Sequence, residues 1–374
     1  MKISKKDALM WFQFFAELPE DEELTPNQQE IVYATMAQIE TTVEVRREQL
    51  KAQIPGLKSL QGRTLYVGED HRFPKGCRSC LLGTGLSAVR KTNKCNIQCP
   101  FCYNYGELHC QPPIGDGLWE IGGTKFYEDD LDLLLSIHNK PTGIAYVYLE
   151  PFMEIEKYYG VISKFHQAGI HQHMYTNGTL CTEENLRALG EAGLDELRFN
   201  LGGVNCADNV IENIRTAKKY IPYVGIETPM TPDFFEQFQE KKEQILATGL
   251  DFINCAELHL NPNNIGNYEG EPMYMTRLGY LSPIWSRDLT LRFMKQAAEE
   301  KWPIAVHDCC NRTKFARDLN LKSKEGGWFG QSSYGSEFDV LPWWAFLPAL
   351  YDKAIQFTKE EELPDGYRPG QLVF

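Results

Sequence analysis

Cys95, Cys99 and Cys102 fall in the stretch KCNIQCPFCYN, separated by three residues and then by two. Thiolates are soft metal ligands, and three in one loop can converge on one inorganic centre. Structural zinc sites close with four ligands, usually from two paired hairpins, so zinc would need Cys110 or a histidine to complete this set. An iron–sulfur cube answers the number better. Three thiolates anchor three irons of a [4Fe–4S] cluster, and the fourth iron keeps a position for an outside ligand. An open metal position signals chemistry at the metal, because a purely structural centre has no use for one.

More thiols stand further off. GCRSC places Cys77 and Cys80 in a C-x2-C pair ahead of the triplet, and HDCCNRTKF places Cys309 and Cys310 far downstream. A C-x2-C pair is a natural bidentate hairpin, so it predicts a second metal site completed by the downstream pair, with iron–sulfur favoured over zinc. Adjacent cysteines rarely both ligate one metal, so one ligand is expected from Cys309 and Cys310, with His307 or Asp308 available to complete the set. The competing reading makes Cys309 and Cys310 one buried thiol and an incidental neighbour. Cys110, Cys181, Cys206 and Cys255 have no partner at ligand spacing and are expected in the core. Glu257 and His259 alternate along a predicted sixth strand, which aims both into a barrel mouth as candidate catalytic residues. A satisfied interior hydrogen-bond network is the alternative for them. His171 and His173 fall at the start of the third strand, the end away from barrel chemistry.

The triplet, with aromatic Phe101 just before its third cysteine, resembles the radical S-adenosylmethionine (radical SAM) superfamily. That resemblance implies a [4Fe–4S] cluster whose open iron takes the amino and carboxylate groups of S-adenosylmethionine. It also implies reductive cleavage of that cofactor to a 5′-deoxyadenosyl radical, which removes a hydrogen atom from the substrate. The family's Gly-Gly-Glu-like motif corresponds to YVYLEPF, where Glu150 keeps the acid and Tyr148 and Leu149 replace the glycines. YTNG, with Asn177, and RFNLGG resemble the ends of the third and fourth strands. On that match Asn200 is assigned to the ribose and Arg198 to the carboxylate, and YVGIETP places Glu227 near the adenine. The layout is also similar to a radical SAM group related to pyruvate formate-lyase activating enzymes. Its N-x-x-E-L segment corresponds to Asn254–Leu258, and its downstream cysteine to Cys309 or Cys310 with Arg312 and Lys314.

Residues at this spacing need a scaffold that brings strand ends together. From about residue 84 strand-like runs (TGIAYVYLEPF, HQHMYTNG, ELRFNLGG, YVGIETPM, DFINCAELHL) alternate with helix-like ones, the signature of parallel βαβ units. An α/β fold is expected, a partial (β/α)6 TIM-like barrel over residues 76–260, with chemistry in the loops after the strands. Residues 1–75 read as a helical N-terminal region, and 261–374 as a C-terminal extension that breaks the regularity at NPNNIGNYEGEP. The aromatic run LPWWAFLPALYDKAIQF reads as a helix packed on the barrel.

Bulk properties bound the function. The chain of 374 residues carries a formal charge of −13 with no long basic run, which weighs against a nucleic-acid surface. ALMWFQFFA is followed by acidic ELPEDEEL rather than a cleavage site, and no apolar run reaches the length of a membrane span. Eleven cysteines at ligand-like spacings in so long a chain suit a reducing cytoplasm. The reading is an anaerobic radical enzyme supplied with electrons by a donor such as flavodoxin or ferredoxin. A peptide or protein substrate is favoured by analogy with peptide-modifying relatives, ahead of a small metabolite and of transfer RNA. The rival of another class is a non-catalytic iron–sulfur or zinc protein, against which the open triplet and the barrel-like series count.

Overall fold

Strand-forming runs separated by amphipathic helices fold into one parallel-dominated sheet in the computed structural model. It describes residues 41–311 apart from 63, 83–85, 103–113, 122–123, 138–139, 261–263, 269–270, 272 and 276–280. Cys110, Arg312, Lys314, residues 1–40 and the aromatic run near the C-terminus lie outside the described residues.

Strands β1 (Lys58–Leu60) and β2 (Thr64–Val67) precede β3 (Leu86–Arg90), and β4 (Leu118–Ile121) and β5 (Thr124–Tyr127) form a hairpin after it. Then come β6 (Gly143–Tyr146), β7 (His171–Thr176), β8 (Glu196–Phe199), β9 (Tyr223–Pro229) and β10 (Phe252–Ala256). The hairpin β11 (Met273–Met275) and β12 (Leu281–Pro283) leads to β13 (Ala305–Cys309). The sheet order is β1-β2-β13-β10-β9-β8-β7-β6-β3-β4-β5, and the stretch from β13 to β3 is parallel throughout. Antiparallel β2 and β4 cover the two edges of this parallel set, which would otherwise offer unpaired backbone groups. The fold is the expected partial TIM-like barrel. Its six anticipated strands are joined by β13, which comes from beyond residue 260.

Local chemistry fixes where the helices begin. Thr182 accepts a hydrogen bond from the Asn185 amide at 3.2 Å, and the Asn185 side chain accepts from the Thr182 amide at 2.8 Å, starting the Glu183–Ala192 helix. Thr231 caps Pro232–Leu246 with a single bond, its Oγ1 accepting from the Phe234 amide at 3.2 Å, and Pro232 takes the first helical position. These helices bury Leu186, Leu189, Phe234 and Phe238 against Met174, Leu197, Ile226 and Ile253 on the outer sheet face. The alternate strand residues point inward. There Leu86, Ala88 and Ala145 make the β3–β6 side apolar, whereas β7 to β13 present His173, Arg198, Glu227, Asn254 and His307. Sheets covered on both faces usually read as near-continuous apolar runs. Polar residues gathered on one side of an inner face therefore mark a place reserved for a site.

The Lys75–Leu82 helix packs on that inner side, against β3, β6 and β7. Gly76 makes this possible: a Cβ there would stand 2.4 Å from His173 Nδ1 and 2.8 Å from Arg198 Nη2. At the other end of the described chain, buried Arg47 clamps the helix over residues 41–51 to the barrel. Its guanidinium donates to Asp288 Oδ1 at 3.1 Å and to Tyr274 Oη at 2.7 Å.

Candidate radical site at the strand ends

The cysteine loop follows β3 and is pinned from several sides. The Cys102 amide donates to the Cys99 carbonyl at 3.0 Å, and the Glu150 amide donates to the Lys94 carbonyl at 3.0 Å. The Asn177 side chain donates to Asn96 Oδ1 at 2.8 Å, and Asn96 donates to Thr179 Oγ1 at 2.8 Å. Asn264 Nδ2 reaches the Phe101 carbonyl at 3.0 Å, and Asn267 Nδ2 the Pro100 carbonyl at 2.8 Å. Read as sequence, NPNNIGNYEGEP shows only turn residues; here its asparagines hold the loop. Gly203 in RFNLGG has a definite reason too, since a Cβ there would lie 2.7 Å from Cys99 Sγ.

Cys95, Cys99, Cys102 and Phe101 border one cavity of about 230 Å³ together with the ends of the parallel strands. Among the described residues no three His, Cys, Asp or Glu side chains converge closely enough to share a single metal ion. The three thiols nevertheless feel one another. Burial, and then Cys102 and Cys95, push the Cys99 thiol up to about 12. A spread set of thiols suits a cluster, whose corners hold thiolates farther apart than one zinc ion does. Thiols that resist ionising together also need the positive charge that iron brings. The residues fit a [4Fe–4S] cluster.

Glu150, four residues beyond β6, is a buried carboxylate beside this loop. Oε1 accepts from Thr176 Oγ1 at 2.8 Å and from the Phe152 amide at 3.1 Å, and Oε2 accepts from the Asn177 amide at 2.6 Å. Burial still outweighs these donors and pushes its carboxyl up to about 7. The two residues before it stand where the resembled Gly-Gly-Glu motif has glycines, and their backbone suits glycine: Tyr148 has φ +74° and Leu149 φ +56°, the left-handed region. Leu149→Gly should therefore be close to neutral in urea unfolding, as released backbone strain offsets lost packing. Leu149→Val, β-branched, should cost about 1–2 kcal/mol. A valine variant as stable as the parent would show that the strain is absent.

The other expected contacts are placed as follows. Asn177 and Asn200 border the cavity, with Asn200 Oδ1 accepting from the Gly203 amide at 3.1 Å. Arg198 lies deeper, and its guanidinium is committed to Glu196 (Nε to Oε1, 2.6 Å), Glu227 (Nη1 to Oε2, 2.5 Å) and Tyr175 Oη (3.0 Å). Glu257 and His259 border the same cavity, although β10 ends at Ala256, one residue before Glu257. Glu257 is fixed from several sides. Its carboxylate is held by Tyr274 Oη, by the Asn311 amide at 2.7 Å and by Arg47 Nη2 at 3.7 Å, inside the clamp of the 41–51 helix. His259 follows it, with its carbonyl accepting from Asn264 Nδ2 at 3.0 Å.

Cys77, Cys80 and Cys309 open on the same cavity, whereas Cys310 is buried away from it. His173 and His307 complete this floor. Burial, with Arg198 adding to it, holds His173 well below the ordinary imidazole range and His307 down to about 3, so both are neutral. His173 is the clearest residue that the sequence hides: its distance from the strand end points away from chemistry, but the interior helix brings the cavity down to it. Cys181, Cys206 and Cys255 are buried in the core, as expected.

Residues 89–245 match the model of the Radical SAM superfamily. Over 207 residues the chain is 25% identical to a tungsten-containing aldehyde ferredoxin oxidoreductase cofactor-modifying protein of Pyrococcus furiosus, covering 48% of this chain and 54% of the relative. Over 215 residues it is 26% identical to a candidate glycyl-radical enzyme activating enzyme of Methanocaldococcus jannaschii, covering 54% and 55%. The chain thus spans about half the length of the curated relatives it matches. Among solved structures, Streptococcus suis SuiB bound to S-adenosylmethionine aligns with a TM-score of 0.46 at 12% identity, covering 62% of this chain and 52% of that one.

Proposed function

We propose, for a chain that belongs to the radical SAM superfamily through residues 89–245, that it starts radical chemistry by reductive cleavage of S-adenosylmethionine and modifies a peptide or protein. The family implies a [4Fe–4S] cluster and S-adenosylmethionine, and Cys95, Cys99 and Cys102 would hold the cluster. When bound, the pair supplies a 5′-deoxyadenosyl radical that removes a hydrogen atom from the substrate. The chain's own residues do the rest. Glu150, Asn177 and Asn200 border the cavity beside the thiols and present acceptors for the amino and hydroxyl groups of the cofactor. Phe101, only 5% exposed, and Val147 and Leu149 give the cavity an apolar wall that keeps water from a reactive radical.

The observation that carries this reading is the thiol triplet beside a buried carboxylate at the ends of parallel strands. A macromolecular substrate is supported by the activating-enzyme relative. The cofactor-modifying relative favours a small molecule as the second reading. A one-electron donor such as flavodoxin or ferredoxin and an oxygen-poor cytoplasm belong to the same proposal. No helix among the described residues is long and apolar enough to cross a membrane.

The test is anaerobic reconstitution with iron and sulfide, then dithionite and S-adenosylmethionine. 5′-Deoxyadenosine should form, and its absence would sink the reading. Cell extract split by ultrafiltration decides the substrate class. Stimulation by the retained fraction supports a peptide or protein, and stimulation by the filtrate alone supports the small molecule.

A further inference from the structure

Radical initiation leaves the soft ligands on the cavity floor unused. Strand alternation puts His307 and Cys309 on the inner face of β13 and sends Asp308 and Cys310 the other way. Asp308 there accepts from Arg287 Nε at 3.0 Å, and Cys310 lies within the electrostatic reach of the same arginine. Register sets Asn254 beside His307 and Ala256 beside Cys309. Asn254 Nδ2 in turn points at Cys77 Sγ, 3.8 Å away, so the interior helix delivers its thiols to this strand pair. Cys77 and Cys80, one helical turn apart, border the same cavity as Cys309.

His307 supplies a separate sign that something binds. It is fully buried, it borders the cavity, and neither ring nitrogen has a hydrogen-bond partner. A buried imidazole unsatisfied at both nitrogens is costly unless a ligand completes it.

We propose that Cys77, Cys80 and Cys309, with His307 as a nitrogen donor, hold a second iron–sulfur cluster on the floor of the cavity. The donor set mixes thiolate and imidazole, which iron–sulfur centres accept. A single zinc ion is disfavoured by spacing, because no three such side chains among the described residues converge on one point. Asn254 provides an N–H group to a ligating sulfur, and Arg198, 2.8 Å from where a Gly76 Cβ would lie, provides nearby positive charge. Cys310 is not a ligand. A substrate entering from the strand ends would then lie between two clusters. This site goes beyond the radical reading and does not depend on it.

Two complementary variants of the full chain test it, both reconstituted anaerobically and analysed for iron, sulfide, zinc and Mössbauer signature. With Cys95, Cys99 and Cys102 all changed to Ala, about half the parent's iron should remain as cluster iron. With Cys77, Cys80 and Cys309 all changed to Ser, about half should be lost while Cys310→Ser loses none. Circular dichroism checks that each variant is folded. Should one set fail to fold, the other still decides. No iron in the first variant, zinc in place of iron, or undiminished iron in the second would overturn the site. Failure of the radical reading looks different: both clusters load, and no 5′-deoxyadenosine forms.

Discussion

Cys102→Ala is expected to lower 5′-deoxyadenosine formation by more than about a thousand-fold, the scale seen when an essential catalytic group is removed. It should do so with little loss of stability, because the loop is fixed by groups other than the thiol. The Cys102 turn to Cys99 uses backbone atoms, and the Asn264 and Asn267 side chains hold the carbonyls of Phe101 and Pro100. Cys102 is also partly exposed, so no core cavity opens when its sulfur is removed. Urea unfolding of the iron-free protein should shift by less than about 1 kcal/mol. Asn264→Ala makes the opposite perturbation. It keeps all three thiols but frees the carbonyls of Phe101 and His259, so the loop should take up iron more slowly. Chromatography of the nucleoside products and iron uptake followed by absorbance check the two results. Activity retained in Cys102→Ala would remove the triplet from the mechanism.

How far the sequence reveals this site depends on the range of the interactions involved. The alternation of strands and helices is local, and the parallel sheet follows from it. The cysteine triplet is also local, because its spacing alone places three thiols in one loop. The two thiol sets are different. That they share one cavity rests on the Lys75–Leu82 helix lying inside the barrel, and the signal for that is one glycine, Gly76, with no room for a Cβ. The inward side of Cys309 and the outward side of Cys310 follow from strand alternation in AVHDCC once that run is read as β13. Glu257 is a mixed case. Its pattern with His259 reads as one strand face and both residues border the cavity, but β10 stops at Ala256, and partners from Arg47, Tyr274 and Asn311 hold the carboxylate. Those partners come from three distant parts of the chain, so periodicity carries no trace of them. Arg198 is similar: a cation at a strand end suggests an anionic ligand, and the carboxylates of buried Glu196 and half-buried Glu227 already occupy it.

Glu150 separates a structural role from a ligand-binding one, and two substitutions tell them apart. Its carboxylate ties the segment after β6 to the end of β7 by accepting from Thr176 Oγ1 and from the amides of Phe152 and Asn177. Glu150→Ala leaves all three donors buried without an acceptor, at about 1–3 kcal/mol each where water does not replace it. A total loss of about 3 kcal/mol or more in urea unfolding is expected. Glu150→Gln keeps the shape and one acceptor oxygen, and turns an amide group toward the remaining donor, so the loss should be about half as large. Affinity for S-adenosylmethionine discriminates further. If the negative charge meets the cofactor's amino group, Glu150→Gln weakens binding about ten- to a hundred-fold, the worth of one charge-assisted hydrogen bond. If the carboxylate only braces the strand ends, the glutamine variant binds the cofactor as the parent does and loses stability alone. Equilibrium dialysis of the reconstituted protein reads the difference directly. Unchanged affinity would confine Glu150 to architecture and move the search for the amino-group partner to the backbone carbonyls of Tyr148 and Leu149, which its strained approach already turns away from ordinary strand geometry.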